Sequence, residues 1–307
     1  MANDHDPDRR SFMKLAASTG LAFSTVSRVG AQQTMHTRSI PVSGEQVPVI
    51  GLGTSDEFNT MPADGGAELK RVIDMLIDHG GSLIDTSPAY GNAKTVAGQL
   101  LADMANHDSI FISTKIRIRG VDEANESLER SHRLLSKDVL DVVFIHDLID
   151  AELQLPNLRE RRAEGRIRYI GISTCEIAHF EEVERLINSE EMDFVQINYG
   201  VADTLAAERI IPAAADRGLA VIANSPFADG GYFGRLQGHA LPDWAAEFDC
   251  ESWAQFSLKY ALGNPAVTCV IPATSNSRHM TDNASAGFGR LPDPAMRQRM
   301  ASYMRDL

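Results

Sequence analysis

The chain has 307 residues, 43% of them hydrophobic and 23% charged, a composition that excludes disordered and fibrous proteins. Its formal net charge of -13 leaves no electropositive footprint for a nucleic acid, so no nucleic-acid partner is expected. The three cysteines, Cys175, Cys250 and Cys269, are too few and too widely spaced for a disulfide framework or a zinc cluster.

Residues 1–31 are predicted to be an export signal rather than part of the fold. Arg9 and Arg10 are followed by Ser-Phe-Met-Lys, a weakly apolar run, and small residues that end at Ala31. This order is typical of a cleaved twin-arginine signal, although a disordered tail with a chance arginine pair is an alternative. The run is too short and too polar for a permanent membrane anchor. We therefore expect the twin-arginine machinery to export the protein, to the periplasm or beyond, and residues 32–307 to form one domain.

In the mature chain, short β-branched runs alternate with longer helical patterns, which predicts β-α units around a parallel sheet. The predicted strands, in chain order, span residues 49–53, 83–85, 110–115, 140–146, 167–172, 194–198, 220–223 and 267–271. The predicted helices span residues 66–79, 94–104, 122–135, 158–164, 178–188, 206–217, 253–262 and 277–285. Eight strands, each followed by a helix, predict an α/β protein with the (β/α)8 TIM-barrel fold.

Three irregular segments complete this pattern. Residues 38–48 have the composition of a hairpin that would close the floor of the barrel, and long connections follow at residues 55–64 and 224–250. Long loops in a compact domain are more often functional than idle. The first strand lacks a glycine-rich dinucleotide fingerprint, because Gly51-Leu52-Gly53 has no third glycine and leads into no immediate helix. A Rossmann fold is therefore disfavoured.

Four titratable side chains fall at one face of the predicted barrel. Asp85, Lys115 and His146 end the second, third and fourth strands, and Tyr90 lies in the loop after the second. The chemistry of such barrels takes place at this face. A buried ammonium would lower the pKa of a neighbouring phenol, a carboxylate would hold the ammonium in place, and a histidine could orient a carbonyl oxygen.

Each of these residues also has a simpler explanation. Asp85 could organise a turn, Lys115 could be a surface lysine, and Tyr90 and His146 could pack in the core. Together, however, they predict a proton-donating site with Tyr90 as the acid. No side-chain nucleophile is evident at the same rim, so a cofactor would have to deliver a hydride.

The motifs that carry these residues resemble those of the aldo-keto reductases. They are DTSPAYG at residues 85–91, STK at 113–115, IH at 145–146, GIST at 171–174, QINY at 196–199 and IPAT at 271–274. The likeness runs in order from about residue 49 to residue 283. It implies reduction of an aldehyde or ketone by NADPH, with NADH as a possible cofactor, and a catalytic tetrad of Asp85, Tyr90, Lys115 and His146.

The resemblance also implies the residues that hold the cofactor. Ser173 and Gln196 would bind the nicotinamide carboxamide, Ser225 would lie along the pyrophosphate, and residues 274–283 would surround the adenosine end. The cofactor residues implied in this way are Ser173, Thr174, Gln196, Tyr199, Ser225, Phe227, Thr274, Arg278, His279, Asp282 and Asn283. No metal site is implied, and a monomer is the family-level expectation.

The chain departs from the family pattern at two points. Asn224 stands where relatives usually stack an aromatic residue on the nicotinamide, a role that Tyr199 or Phe227 could take over. Ala273 and His279 align with the lysine and arginine that commonly bind the 2′-phosphate of NADPH, with Arg278 adjacent.

Two other functions fit parts of the pattern. One is an exported nucleotide-binding sensor or partner protein without significant turnover, since no free NADPH pool is expected outside the cytoplasm. The other is a lyase in which Lys115 forms a Schiff base with a carbonyl substrate. The spacing of Asp85 and Tyr90 favours hydride transfer over both.

Overall fold

The computed structural model describes residues 34–307, so the predicted export signal lies outside the described residues. The strands of this part are β1 (Thr37–Ser39), β2 (Gln46–Pro48), β3 (Leu52–Gly53), β4 (Leu83–Asp85), β5 (Phe111–Ile116), β6 (Leu140–His146), β7 (Ile167–Thr174), β8 (Phe194–Asn198), β9 (Ala220–Asn224) and β10 (Val267–Val270). The α-helices are α1 (Ala67–Asp78), α2 (Ala93–Ala102), α3 (Val121–Leu135), α4 (Ala151–Ala163), α5 (Phe180–Ser189), α6 (Ile210–Asp216), α7 (Gly231–Arg235), α8 (Trp253–Leu262), α9 (Ser277–Ser285) and α10 (Pro294–Asp306). Short 3-10 helices lie at Asp56–Phe58, His107–Ser109, Ile177–His179, Leu205–Ala207, Ala228–Gly230 and Asp243–Phe248. Of the helices in residues 34–307, none combines the length and the apolar character needed to cross a membrane.

Strands β3 to β10 form one sheet in which each strand pairs in parallel with the next along the chain. Parallel bridges from Ile50 to Val270 and from Gly53 to Ala273 join the first of these strands to the last. The N–H of Gly51 donates to the carbonyl oxygen of Val270 at 2.9 Å and reinforces this seam. The sheet therefore closes on itself, and the predicted (β/α)8 barrel is confirmed.

Alternate strand residues divide the core into two layers. Phe111, Phe144 and Phe194 face the inside of the barrel, and the rings of Phe144 and Phe194 meet edge to face with centroids 6.2 Å apart. Gly171 makes room for them, because a Cβ atom there would lie 2.3 Å from the carbonyl oxygen of Phe194. The aliphatic residues between them on each strand pack outward against the helices. Each fully buried aliphatic side chain stabilises the fold by about 1.5–3 kcal/mol.

The predicted hairpin at the barrel floor is confirmed. Strands β1 and β2 pair antiparallel, with Thr37 opposite Pro48. Ile40 and Val47 are almost completely buried in the same cluster as the aromatic residues of the barrel interior. The hairpin therefore closes the end of the barrel at which the strands begin.

Two helices begin several residues away from their predicted starts, and two, α7 and α10, were not predicted. Helix α4 begins at Ala151, well before the predicted start, and continues through Pro156 because Leu155 and Leu158 are fully buried against the sheet. Helix α6 begins only at Ile210, after a 3-10 turn. Helix α10 was not predicted, since only Met300 and Met304 among its residues are buried and its apolar pattern is weak.

Candidate active site

The polar residues of the site continue the inward-facing rows of the strands. On β6, Val142 and Phe144 face the barrel interior, so the two-residue period of a strand turns His146 inward as well. The same period carries β5 from Phe111 to Lys115. Residues in equivalent positions at the carboxyl ends of the other strands are Asp85 on β4, Ser173 on β7, Gln196 on β8 and Asn224 on β9. The two-residue alternation of side chains along the strands therefore places these polar groups together, above the hydrophobic interior of the barrel.

Asp85 and Lys115 form a buried ion pair. Nζ of Lys115 lies 2.5 Å from Oδ2 of Asp85, and the two side chains are only 1% and 2% exposed. The other carboxylate oxygen accepts hydrogen bonds from Ser113 at 2.5 Å and from Gln196 at 2.9 Å. Burial alone would lower the pKa of Lys115, but Asp85 and Tyr90 together outweigh burial and the net pKa is raised. The lysine is therefore a fixed ammonium at neutral pH.

Tyr90 lies beside this ammonium. Nζ of Lys115 is 5.0 Å from the centroid of the Tyr90 ring, and the ring meets that of His146 edge to face at 6.4 Å. Burial raises the pKa of Tyr90, and Lys115 offsets this only in part. The predicted net lowering of this pKa is therefore wrong for the free protein, because desolvation of a phenolate outweighs one nearby cation. Tyr90 carries its proton at neutral pH, as a proton donor must.

His146 is neutral at neutral pH. Burial and the charge of Lys115 lower the pKa of His146, and the neighbouring Asp147 opposes them. Nδ1 of His146 lies 2.9 Å from Oδ1 of Asp147, whose other oxygen accepts a hydrogen bond from Arg117 at 2.7 Å. The imidazole thus contacts a carboxylate that the sequence analysis did not single out.

A cleft of about 670 Å³ runs across this end of the barrel. Tyr90 and His146 line it together with Thr274 and His279, both of which follow the last strand. Oδ1 of Asn224 is buried in its wall and has no hydrogen-bond partner among residues 34–307. A cleft of this size with an unpaired buried acceptor in its wall suits a cofactor whose reactive end carries an amide.

The predicted cofactor residues divide into two groups. Ser225, Phe227, Thr274 and His279 line the cleft. Ser173 and Gln196 do not line it and are fully buried at the strand ends, where the hydroxyl of Ser173 donates to Oε1 of Gln196 at 2.7 Å. Each of this pair keeps further hydrogen-bonding capacity for a carboxamide.

The second group does not line the cleft. Tyr199 is fully buried, accepts a hydrogen bond from Arg297 and packs on another tyrosine, so it does not replace the missing aromatic. The hydroxyl of Thr174 is engaged by His179 at 2.9 Å, and Asp282 accepts hydrogen bonds from α8. The remaining members of this group are Asn283, which is buried, and Arg278, which is exposed. For Tyr199, Thr174 and Asp282, internal contacts take the side-chain atoms that a cofactor would need.

The amino end of α9 is already met by a carboxylate. Oε1 of Glu68 on α1 accepts the backbone N–H of Ser277 at 2.8 Å, and this bond above all lowers the pKa of Glu68 to about 2. Helix amino ends favour anions. A ligand phosphate approaching α9 therefore meets a negative charge of the protein as well as the helix dipole.

Several cleft residues escaped the sequence analysis. They are Asp56, Glu57, Arg117, Asp147, Cys175, Glu176 and Asp229. All follow strand ends, so the loops after the strands were the signal that could have located them. In HDLID, residues 146–150, the acidic residue directly after His146 was visible as sequence but its contact was not.

A closed (β/α)8 barrel with a phenol, a buried ammonium–carboxylate pair and an imidazole at one cleft defines a cofactor-dependent oxidoreductase. The model of the Aldo/keto reductase family matches residues 49–301, and the chain belongs to that family. No group of three histidine, cysteine or acidic side chains within residues 34–307 is placed to hold a metal ion.

Relatives match over most of the chain. The 9,11-endoperoxide prostaglandin H2 reductase of Trypanosoma cruzi is 25% identical over 261 residues, 82% of this chain and 87% of that protein. The methylglyoxal reductase YeaE of Escherichia coli is 25% identical over 262 residues, 82% of this chain and 89% of that protein. An aldo/keto reductase from Klebsiella pneumoniae, solved with NADP and acetate, superposes with a TM-score of 0.73 at 23% identity, covering 85% of this chain and 93% of that one.

Proposed function

We propose that the protein is an NAD(P)H-dependent oxidoreductase that reduces a small-molecule aldehyde or ketone to an alcohol, with Tyr90 as the general acid. The observation that carries this proposal is the protonated phenol of Tyr90 beside the buried Asp85–Lys115 pair, on the wall of a cleft of about 670 Å³. The names of the relatives as reductases, and the family itself, support the same reaction.

The residues divide the work of reduction. A bound reduced nicotinamide would supply the hydride for the carbonyl carbon. Tyr90 gives its proton to the carbonyl oxygen as the charge develops there, and the ammonium of Lys115 stabilises the phenolate that remains. Asp85 keeps that ammonium charged and in place. Ser173 and Gln196 would hold the carboxamide of the nicotinamide.

NADPH is the cofactor that we propose, with NADH as the alternative. The Klebsiella pneumoniae protein was solved with NADP, and Arg278 and His279 at the start of α9 offer cationic or hydrogen-bonding groups to a 2′-phosphate. Glu68 at the same helix end works against this phosphate.

The lyase alternative lacks support in the geometry. A Schiff base requires a neutral amine, whereas the carboxylate of Asp85 raises the pKa of Lys115 and holds it as an ammonium. A sensor without turnover would not require a protonated phenol beside that ammonium.

We further propose that the twin-arginine machinery exports the protein as a monomer, and that the nucleotide is loaded before export. The motif at Arg9 and Arg10 supports this export route. Because the twin-arginine machinery moves folded proteins, a nucleotide bound in the cytoplasm would travel with the protein. Cell fractionation tests it: the unaltered chain should accumulate outside the cytoplasm and a chain with both arginines changed to lysine should not. Exported protein that is consistently free of nucleotide would refute the loading.

A fluorescence titration of residues 32–307 with NADPH and NADH in parallel tests the cofactor assignment, followed by turnover with a panel of aldehydes and ketones. Tighter binding of NADPH together with carbonyl reduction is the expected result. Equal affinities would move the assignment to dual use. Binding without reduction of any carbonyl would favour the sensor, and absence of binding would refute the enzyme.

A further inference from the structure

The loop after β6 holds Asp147 against the ring of His146. The backbone of Asp147 is left-handed, with φ of 54°, and its N–H donates to the carbonyl oxygen of Ser173 at 2.8 Å. Aspartate adopts this conformation more readily than most residues. The turn leaves Oδ1 of Asp147 only 2.9 Å from Nδ1 of the histidine that directly precedes it.

A second contact fixes the same carboxylate. Nε of Arg117 donates to Oδ2 of Asp147 at 2.7 Å, and the Asp147 side chain is 16% exposed. A guanidinium only donates hydrogen bonds, so Oδ2 of Asp147 is the acceptor in this pair. The two oxygens thus have separate tasks, one toward Arg117 and the other toward His146.

This carboxylate alone selects the proton of Nδ1. Its Oδ1 lies 2.9 Å from Nδ1 without the geometry of a hydrogen bond, and no group in residues 34–307 forms a hydrogen bond with that nitrogen. A neutral imidazole carries one proton on one of its two nitrogens. A carboxylate beside Nδ1 stabilises an N–H there and repels a lone pair. In neutral His146 the proton therefore lies on Nδ1, and Nε2 has the lone pair.

A carbonyl and a hydroxyl make opposite demands on Nε2. A carbonyl oxygen only accepts hydrogen bonds, so it requires an N–H, which His146 then offers at Nε2 only when both ring nitrogens are protonated. A hydroxyl can donate, so it binds to the bare Nε2 of the neutral ring. The side chain of His146 lines the cleft, where either group of a substrate would lie.

We infer that Asp147 is a positioning residue that holds a proton on Nδ1 of His146, so that the neutral ring accepts the hydroxyl of an alcohol and only the doubly protonated ring orients a carbonyl. The inference rests on the proposed function and adds a pH-dependent preference between the two directions of the reaction. Carbonyl reduction should weaken as the second proton leaves His146, while binding of the alcohol should strengthen.

Several charged groups determine the pH at which His146 loses its second proton. Burial, Lys115 and Arg117 disfavour the second proton, and Asp147 favours it. The titratable groups that surround the ring are Asp85, Tyr90, Lys115, Arg117, Asp147 and, at the cleft wall, Cys175. Among them only Asp147 contacts Nδ1, so a change at this residue should alter the position of the proton without touching the other members of the tetrad.

The first test is spectroscopic. In protein labelled with ¹⁵N-histidine, two-bond ¹⁵N–¹H correlations distinguish the tautomers, and the signal of His146 is assigned by its loss in His146→Gln. Neutral His146 should show the Nδ1–H form in the unaltered protein and a mixed or Nε2–H form in Asp147→Asn. Asparagine adopts the left-handed backbone of this position as readily as aspartate does. Asp150→Asn is the matched control, because Asp150 is also left-handed but pairs with Arg119 instead. An Nε2–H form in the unaltered protein would overturn the inference.

The second test is kinetic and uses one carbonyl–alcohol pair in both directions. Above the pKa of His146, kcat/KM for reduction should fall by about tenfold per pH unit in the unaltered protein and in Asp150→Asn. In Asp147→Asn the fall should flatten, because a neutral ring can then donate from Nε2. Parallel profiles in all three proteins would overturn the inference. Absence of turnover with the Nδ1–H tautomer present would refute the proposed function and leave the positioning role intact.

Discussion

In the proposed reaction, proton transfer depends on Tyr90. Replacement by phenylalanine removes the hydroxyl and keeps the ring that packs beside Lys115 and His146. We expect Tyr90→Phe to lower kcat by about 10²–10⁴-fold with nucleotide affinity unchanged, since general acid catalysis contributes that much. Steady-state rates and fluorescence titrations measure both. Tyr303→Phe, which alters a tyrosine in the cluster of α8 and α10, is the control, and an unchanged rate in Tyr90→Phe would remove the residue from its role.

The sequence was sufficient to predict that these four side chains lie together, but not their electrostatic balance. Asp85, Lys115 and His146 end strands whose earlier residues are visibly apolar, so the two-residue period predicts where they point. Burial, however, depends on the whole fold, and it reversed the expected direction of the pKa of Tyr90. The contact of Asp147 depends on a left-handed turn, which no local pattern indicates for an aspartate.

At the scale of elements, we expect the contact of α1 with the amino end of α9 to affect the binding of a 2′-phosphate. Glu68 keeps its negative charge at the amino end of α9, because its pKa is lowered to about 2. Glu68→Gln keeps an acceptor for the N–H of Ser277 and removes the charge. We expect it to raise NADPH affinity by about two- to fivefold and to leave NADH affinity unchanged. Parallel titrations measure this. Asp74→Asn, on the same helix but paired with Lys70, should change neither, and an equal gain for both nucleotides would contradict the explanation.

Strands and helices differed in how well the sequence predicted them. The bounds of β4, β6 and β8 were predicted without error, because short buried strands end in polar residues or glycine. Helix α4 was predicted too short because Pro156 normally ends a helix, whereas here buried leucines on both sides of it keep the helix against the sheet. Tertiary packing of this kind is not local information.

At the scale of the whole molecule, a lysine outside the tetrad makes stability depend on pH. Lys94 on α2 is 4% exposed, donates to Ser131 at 2.6 Å, and has its pKa lowered to about 7 by burial and by Lys115. An unfolded lysine has a pKa of about 10.4. Between these values the unfolded chain binds one more proton, so stability from this group rises with pH by about 1.4 kcal/mol per unit. Below pH 7 Lys94 is protonated in both the folded and the unfolded chain, so the full cost of burying its ammonium lowers the free energy of unfolding.

Lys94→Met removes this dependence. Between pH 7 and pH 9 the free energy of unfolding of this variant should rise less steeply with pH than that of the unaltered protein, by about 1.4 kcal/mol per pH unit. Urea unfolding at several pH values measures the difference. Lys70→Met, at an exposed position of α1, should keep the slope of the unaltered protein. If the curves of Lys94→Met and the unaltered protein run parallel, Lys94 is protonated in the folded state.

The closure of the barrel has a consequence for the order of events in the cell. A parallel bridge between Ile50 and Val270 joins the first strand of the barrel to the last. The backbone N–H of His36 also donates to the carbonyl oxygen of Gly287 at 2.8 Å. These contacts join segments that are synthesised at opposite ends of the chain, so the seam forms only after the last strand has left the ribosome. A route that threads the polypeptide through a membrane during translation would keep the two edges on opposite sides until synthesis ended. A machinery that transports fully synthesised, folded proteins lets the barrel close before transport.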